Sequence, residues 1–220
     1  MTLAEESPRA QYDKVFQLLE SHHAWFQSAI PLIASENVPS PAVREAIITD
    51  FGNRYAEGWP SERVYAGCLY IDQVELLCIE LARKLFRPEF ADVRPVSGVC
   101  ANLIVYTAFT SPGDRMIALS IPAGGHITMG KKELGGTAGA VHGLVVEYFP
   151  FNHEEMNIDV DKTKERVRKM AKEEKNPPKL AMFGASVFPF PHPVRELVET
   201  FREVGATVCY DGAHVAGLIA

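Results

Sequence analysis

"KLAMFGASVFPFPHPVRELVETFREVGATVCYD", residues 179–211, contains the pattern that decides the fold. Two short apolar runs, 179–186 and 206–211, are bounded by Gly, Pro and Asp, and a segment with helical spacing, 193–205, lies between them. Short apolar runs of this kind are typical of strands buried on both faces, as in a parallel sheet. The stretch therefore predicts a strand, a helix and a second strand that lies parallel to the first.

The same alternation extends toward the N-terminus. Strands are predicted over "RMIALS" (115–120) and "GLVVEYFP" (143–150), and "DKTKERVRKMAKEEK" (161–175) predicts a helix with one solvated, charged side. Strands and helices in alternation indicate an α/β layer fold with a mostly parallel sheet.

The first half of the chain is predicted to be mainly helical. Apolar spacing, proline starts and glycine or proline stops place helices over 10–26, 41–51, 71–88 and from 97 to the turn at Pro112. The helix over 71–88 has the clearest amphipathic pattern.

Composition excludes several classes of protein. The formal net charge is −6, with 47% hydrophobic and 23% charged residues, which is ordinary for a globular protein and unfavourable for nucleic-acid binding. We expect no membrane span and no signal peptide, and therefore a cytoplasmic protein. The four cysteines form no CxxC pair, so we expect reduced thiols and no metal site.

Asp211 and His214 follow the last predicted strand. Ligands of open parallel sheets bind beyond the carboxyl ends of the strands. A carboxylate there can keep a ring nitrogen protonated, although for this residue taken alone an Asp that caps a loop or helix is the favoured interpretation.

Three other segments contain candidate functional residues. "SGVCAN" (97–102) places Ser and Gly at a helix start that suits a phosphate, and "GGH" (124–126) lets an imidazole approach a flat ligand. "NRYAEGWPSERVYAG" (53–67) surrounds Glu57 with aromatic residues. Each has a plainer reading as helix cap, satisfied histidine or packing loop.

Taken together in this order, the blocks resemble the serine hydroxymethyltransferases. The resemblance rests on "SEN" (35–37), "NRYAEGWPSERVYAGC" (53–68), "SGVCAN", "PGD" (112–114), "GGHITMG" (124–130), "GAS" (184–186) and "DGAHVAGLIA" (211–220). It implies an aspartate-aminotransferase-like fold, the fold type I of enzymes that use pyridoxal 5′-phosphate (PLP). Residues 1–50 would form an N-terminal helical arm, and 51–220 the first part of the PLP-binding large domain.

The resemblance also implies roles for individual residues. Asp211 would pair with the pyridinium nitrogen, His126 would stack on the ring, and Glu57 would be the proton-transfer acid. Cofactor-binding roles would fall, besides Asp211 and His126, to Tyr55, Ser97, Gly98, Val99, Ser186 and His214, of which His214 would also be catalytic. Ser35, Glu57 and Tyr65 would contact the substrate amino acid. Tyr55 and Glu57 would come from the partner subunit of a homodimer with shared active sites.

The implied reaction is transfer of the hydroxymethyl carbon of serine to tetrahydrofolate or a related pterin through a PLP-stabilised carbanion. Val99 and Cys100 stand where the family usually has Ser and Gln, at the phosphate site, and Val64 stands where it has Tyr, on the surface against which the folate would lie. Over all the quoted blocks, the PLP-facing residues are kept better than the pterin-facing ones. A folate-independent aldolase or transaldolase of β-hydroxy-α-amino acids is the alternative, and a catalytically incomplete partner subunit is a second one.

The lysine that carries PLP in this family lies downstream of the block that starts at Asp211. None of the lysines within residues 1–220 has the matching context. We therefore expect this chain to correspond to the N-terminal half of the enzyme and to be inactive by itself.

Overall fold

The computed structural model describes residues 7–33 and 36–219. The chain divides into two compact units, Met1–Arg54 and Tyr55–Ala220. This division lies four residues beyond the boundary that the resemblance implies after residue 50.

The first unit is helical, as predicted. Helix α1 spans Pro8–Gln27 and helix α2 spans Pro41–Ile47, and each begins with a proline after a serine whose side chain caps the helix. The prediction that α2 continues to residue 51 is wrong. The Thr49 hydroxyl donates to the Ala46 carbonyl at 2.7 Å, and the Thr49 backbone is extended, so the helix ends before a separate turn at Asp50–Asn53.

The second unit contains the α/β fold. Its helices and strands, in chain order, are β1 (Gly58–Trp59), β2 (Glu62–Arg63), α3 (Leu69–Phe86), α4 (Gly98–Phe109), β3 (Arg115–Ala118), α5 (Ala138–Val141), β4 (Val145–Tyr148), β5 (Phe151–Asn152), β6 (Asn157–Ile158), α6 (Val160–Lys172), β7 (Leu180–Phe183), α7 (Val194–Glu203), β8 (Thr207–Tyr210) and α8 (Ala216–Ile219).

Within the described residues, β3, β4, β7 and β8 form one sheet in the order β4-β3-β7-β8, and every neighbouring pair is parallel. The predicted parallel α/β architecture is confirmed. The sequence predicts that all four strands are buried on both faces, and this holds only for the inner strands β3 and β7. β4 and β8 lie at the edges of this sheet, so parts of them remain exposed or half-buried.

Two apolar clusters cover the faces of the sheet. On one face, Leu197 and Phe201 of α7 and Val167 of α6 pack against Ile117 and Phe183. The other cluster joins side chains of α4, α5 and the strands, with the wholly buried Tyr106 among them. Helices on both faces hold the strands so that their carboxyl ends open on one edge.

No helix in the described ranges, 7–33 and 36–219, has the length and apolar character needed to cross a membrane.

Candidate functional site

Asp211 lies directly after β8, at the carboxyl edge of the sheet. Its backbone N–H donates to the Phe183 carbonyl at 2.9 Å, which continues the β7–β8 pairing by one residue. Its carboxylate accepts from Asn102 Nδ2 at 3.0 Å on Oδ2 and from the Ala213 N–H at 3.1 Å on Oδ1. These bonds orient a half-buried anion at the position where parallel sheets bind ligands.

Gly184, at the end of β7, makes room for this arrangement. Its φ is +96°, and a Cβ at this residue would lie 2.1 Å from the Asp211 carbonyl oxygen. A side chain here would therefore displace the backbone of Asp211.

His126 is half-buried in the loop that follows β3. Its Nδ1 lies 2.7 Å from Thr128 Oγ1 and accepts from the Thr128 N–H at 3.2 Å. The same loop contacts the loop after β7, because the Ser186 N–H donates to the Gly124 carbonyl at 2.8 Å. The loops that carry His126 and Ser186 are thus joined by their main chains.

Asn102 connects His126 to Asp211. Its Nδ2 lies 2.8 Å from Thr128 Oγ1 and 3.0 Å from Asp211 Oδ2, so one amide bridges the His126 loop and the end of β8. We call Asp211, Asn102, Thr128 and His126 the carboxylate–imidazole cluster.

Asn102 belongs to the second turn of α4, and therefore the start of that helix lies near the cluster. Ser97 caps α4, its Oγ accepting from the Cys100 N–H at 3.3 Å. The Gly98 and Val99 N–H groups make no hydrogen bond with other described residues. Free N–H groups and the positive end of the helix dipole favour an anion at this position.

His214 lies in the turn after Asp211, and its side chain is exposed. Ser186 is half-buried. Neither side chain forms a hydrogen bond with another described residue, so both are available to a ligand.

Tyr55, Glu57 and Tyr65 lie on the segment around the β1–β2 hairpin. All three side chains are exposed, and the Tyr55 and Tyr65 rings lie 5.4 Å apart. The Val64 N–H donates to the Glu57 carbonyl at 2.9 Å, which fixes the backbone at Glu57. No hydrogen bond or ring contact joins these side chains to the carboxylate–imidazole cluster in the described ranges. The predicted Ser35 lies outside the described residues.

A half-buried ion-pair group, Arg63 with Asp72 and Glu75, holds this hairpin on α3. Arg63 Nε donates to Asp72 at 2.7 Å and its Nη2 donates to Glu75 at 2.6 Å, while its Nη1 donates to the Ala56 and Gly58 carbonyls. The guanidinium and the Ser61 N–H hold the pKa of Asp72 below its ordinary value. The hairpin that presents Glu57 is therefore anchored at several points.

Burial and the charge of Asp211 shift the pKa values of several groups at this end of the sheet. Burial, with a smaller contribution from the Asp211 charge, raises the pKa of the Cys209 thiol and of the Tyr210 hydroxyl. Burial alone lowers the pKa of His192 to about 4. Both Cys209 and His192 are thus held in their neutral forms near pH 7.

These residues fit PLP on grounds of donor chemistry. Each Asp211 oxygen accepts one internal hydrogen bond, which leaves acceptor capacity for a protonated ring nitrogen. The start of α4 supplies donors for a phosphate, and the half-buried His126 ring supplies a flat face. The cluster and the helix start lie on one edge of the same sheet.

Sequence reasoning gave no role to Asn102 or Thr128. Both lie inside quoted motifs, and both are polar residues in apolar surroundings, with 5% and 2% of their surface exposed. A polar side chain at such a position needs a buried partner, which is the signal that could have identified them.

The parallel sheet with flanking helices and a carboxylate after its last strand is that of the fold type I PLP-dependent enzymes. The family model for serine hydroxymethyltransferase matches residues 9–220, and the chain belongs to this family.

Three curated relatives of this chain are each named serine hydroxymethyltransferase. The protein of Nitrosopumilus maritimus is 62% identical over 99% of this chain and 49% of its own length. The protein of Cenarchaeum symbiosum is 64% identical over 96% of this chain and 48% of its own length. That of Korarchaeum cryptofilum is 56% identical over 97% of this chain and 49% of its own length. The chain spans about half the length of the curated relatives it matches, which agrees with the half-length expected from the sequence.

Proposed function

We propose that the full-length protein transfers the hydroxymethyl carbon of serine to a tetrahydropterin, with PLP as its cofactor. The observation that supports this most strongly is the carboxylate–imidazole cluster, which brings Asp211 and His126 together beside the start of α4. Relatives 56–64% identical to this chain are named for the same activity.

Asp211 would hold a positively charged ring nitrogen. When bound, PLP supplies an electron-withdrawing pyridinium ring that stabilises negative charge on the α-carbon of the substrate. The ring withdraws electrons best while its nitrogen stays protonated, and an oriented anion favours that state. Asn102 and the Ala213 N–H prevent the carboxylate from rotating away.

The start of α4 would bind the phosphate. The Gly98 and Val99 N–H groups are free to donate, and the Ser97 hydroxyl can donate its proton while its oxygen accepts from the Cys100 N–H. Val99 contributes only its main chain, so the absence of a hydroxyl at this position removes one donor without removing the site.

Glu57 would carry the proton to and from the substrate hydroxyl, and Tyr55 would lie near the phosphate. Because neither contacts the cluster of its own chain among the described residues, we propose that both act in the site of a partner subunit. Exposed leucines of α3, including Leu77, Leu81 and Leu85, supply an apolar surface consistent with such a homodimer.

The remaining expected contacts are proposals of the same kind. Ser35 and Tyr65 would bind the substrate amino acid, and Ser186 and His214 would bind around the ring oxygen and the phosphate. We also propose a cytoplasmic location, in which the four free cysteines would stay reduced.

A direct assay tests the reaction. The purified full-length protein is incubated with PLP and either serine or allo-threonine, each with and without a tetrahydropterin, and glycine is quantified. We expect glycine from serine only when the pterin is present. Pterin-independent release of an aldehyde would instead identify an aldolase, and no turnover under any condition would support a partner subunit without its own activity.

The proposed role of Glu57 has a matched control on the same hairpin. Glu57→Gln should retain PLP binding and reduce transfer from serine at least a hundredfold, the usual size of a general acid–base contribution. Glu62→Gln changes another exposed carboxylate of the hairpin and should leave both PLP binding and transfer from serine unchanged. Equal activity of the two variants would exclude Glu57 from the proton transfer.

A further inference from the structure

The carboxylate–imidazole cluster contains two residues, Asn102 and Thr128, whose hydrogen bonds can each be given a direction. We propose that they are positioning residues that fix His126 as the neutral tautomer with its proton on Nε2. The importance of this tautomer for catalysis rests on the proposed function, but the tautomer itself follows from the hydrogen bonds alone.

The direction starts at Asp211, because an ionised carboxylate only accepts hydrogen bonds. Its partner on Asn102 must therefore be the amide nitrogen, at 3.0 Å, rather than the amide oxygen. This requirement settles the orientation of the Asn102 amide, which otherwise has two alternatives of nearly equal shape.

The same nitrogen has a second proton, and Thr128 Oγ1 lies 2.8 Å from it. Nδ2 donates and cannot accept, so the Thr128 oxygen is the acceptor in this contact. Asn102 and Thr128 are buried, with 5% and 2% exposed, and water is therefore not a ready substitute for either partner.

Thr128 must place its own hydroxyl proton elsewhere. His126 Nδ1 accepts from the Thr128 main-chain N–H at 3.2 Å, which a protonated Nδ1 could not do. The Thr128 hydroxyl, whose oxygen lies 2.7 Å from the same nitrogen, is therefore the donor in that contact. Nδ1 faces two donors, so the ring proton is on Nε2.

The main chain of Thr128 is held by a further buried contact. The Tyr106 hydroxyl donates to the Thr128 carbonyl at 3.1 Å, and Tyr106 is completely buried. Burial raises the pKa of Tyr106 far above its ordinary value, so this hydroxyl remains a donor at any working pH. The donors aimed at His126 are consequently part of a rigid core.

The arrangement links the charge of Asp211 to the state of His126. The carboxylate orients the amide, the amide orients the hydroxyl, and the hydroxyl orients the imidazole. A ligand ring between Asp211 and His126 would meet a neutral imidazole whose Nε2–H points away from Thr128.

Nitrogen-15 NMR of the full-length protein with labelled histidine tests the tautomer without PLP. The His126 signals are assigned as those missing from His126→Gln. We expect the pattern of a protonated Nε2 and an unprotonated, hydrogen-bonded Nδ1 in the neutral ring. The opposite tautomer in the unsubstituted protein would overturn the proposal.

Substitutions test the cause. Thr128→Val removes the hydroxyl and leaves Nδ1 with only the longer main-chain donor, so part of the population should move its ring proton to Nδ1 and PLP binding should weaken about tenfold. Thr128→Ser should retain the wild-type signals. Thr107→Val is the matched control, because Thr107 is an exposed residue of α4 whose hydroxyl bonds only its own helix. This substitution should change neither the His126 tautomer nor PLP binding.

The two proposals fail in distinguishable ways. An unchanged His126 tautomer in Thr128→Val would refute the positioning role even if the enzyme converts serine. A protein that shows the expected tautomer but neither binds PLP nor converts serine would refute the proposed function and leave the hydrogen-bond assignment intact.

Discussion

His192 should make the stability of this protein depend on pH. The residue lies between β7 and α7, has 8% of its surface exposed, and accepts from the Gly184 N–H at 3.1 Å through Nδ1. Its ring lies 4.9 Å from that of Phe188. Burial in these apolar surroundings lowers its pKa from 6.5 to about 4.

The sign of the effect follows from proton uptake. Between pH 6.5 and pH 4 the unfolded chain binds a proton at His192 and the folded chain does not, so the free energy of unfolding decreases as the pH falls. The two pKa values differ by about 2.5, which limits the loss to about 3 kcal/mol below pH 4. About 2 kcal/mol of this loss should occur between pH 7 and pH 5.

Denaturant unfolding of the full-length protein at pH 7 and pH 5 measures this contribution. His192→Asn keeps an acceptor for Gly184 but does not titrate, so it should lack about 2 kcal/mol of the pH dependence whatever its stability at pH 7. His153→Asn, an exposed histidine, is the control and should behave like the wild type. If the free energy of unfolding decreases by the same amount between pH 7 and pH 5 in the wild type and in His192→Asn, the reasoning is refuted.

Three further substitutions have defined outcomes. Gly184→Ala should weaken PLP binding at least tenfold in an absorbance titration, because the new Cβ displaces the Asp211 backbone. Phe201→Ala should lower the free energy of unfolding by about 3–5 kcal/mol, because it leaves a cavity between two other core phenylalanines. Arg63→Met should increase proteolytic cleavage within residues 55–67, because two partly buried carboxylates lose their partner.

Each of these has a control in the same unit. Gly135→Ala places a Cβ at a similar positive φ with nothing within 4 Å, and it should bind PLP like the wild type. Phe190→Ala, at an exposed site, should change stability by less than about 0.5 kcal/mol. Arg83→Met changes an exposed arginine of α3 and should not affect cleavage of the hairpin. If a control variant shows the same change in PLP binding, stability or cleavage as its test variant, the physical reason given for that test variant is wrong.

The sequence predicts the four strands of the sheet and their parallel pairing because short apolar runs that alternate with helices are a local pattern. The runs at 115–120 and 179–186 each contain an unbroken apolar stretch, and they become the two inner strands. Apolar content does not reveal which strands lie at an edge, since β8 has a similar pattern and remains half-exposed. The early end of α2 depends on one hydroxyl, that of Thr49, which apolar spacing does not register.

The candidate site is predictable only in part. Asp211 and His126 stand out because their residue types and flanking glycines suit a cofactor. The hydrogen bonds through Asn102 that link Asp211 to His126 cannot be predicted in this way. Asn102 lies 109 residues from Asp211 and 26 from Thr128, and one sequence contains no signal for pairing over such separations. Arg63 is similar: its charge suggests an exposed residue, whereas its partners on α3 bury it.

The most direct test of the account is the protonation state of the PLP nitrogen. Full-length wild type and Asp211→Asn are loaded with PLP labelled with nitrogen-15 in the ring, and the ring nitrogen is observed by NMR. We predict a protonated nitrogen in the wild type and an unprotonated one in the variant, with Asp161→Asn, an exposed carboxylate of α6, matching the wild type. The same ring-nitrogen signal in wild type and Asp211→Asn would contradict the claim that this carboxylate holds the cofactor.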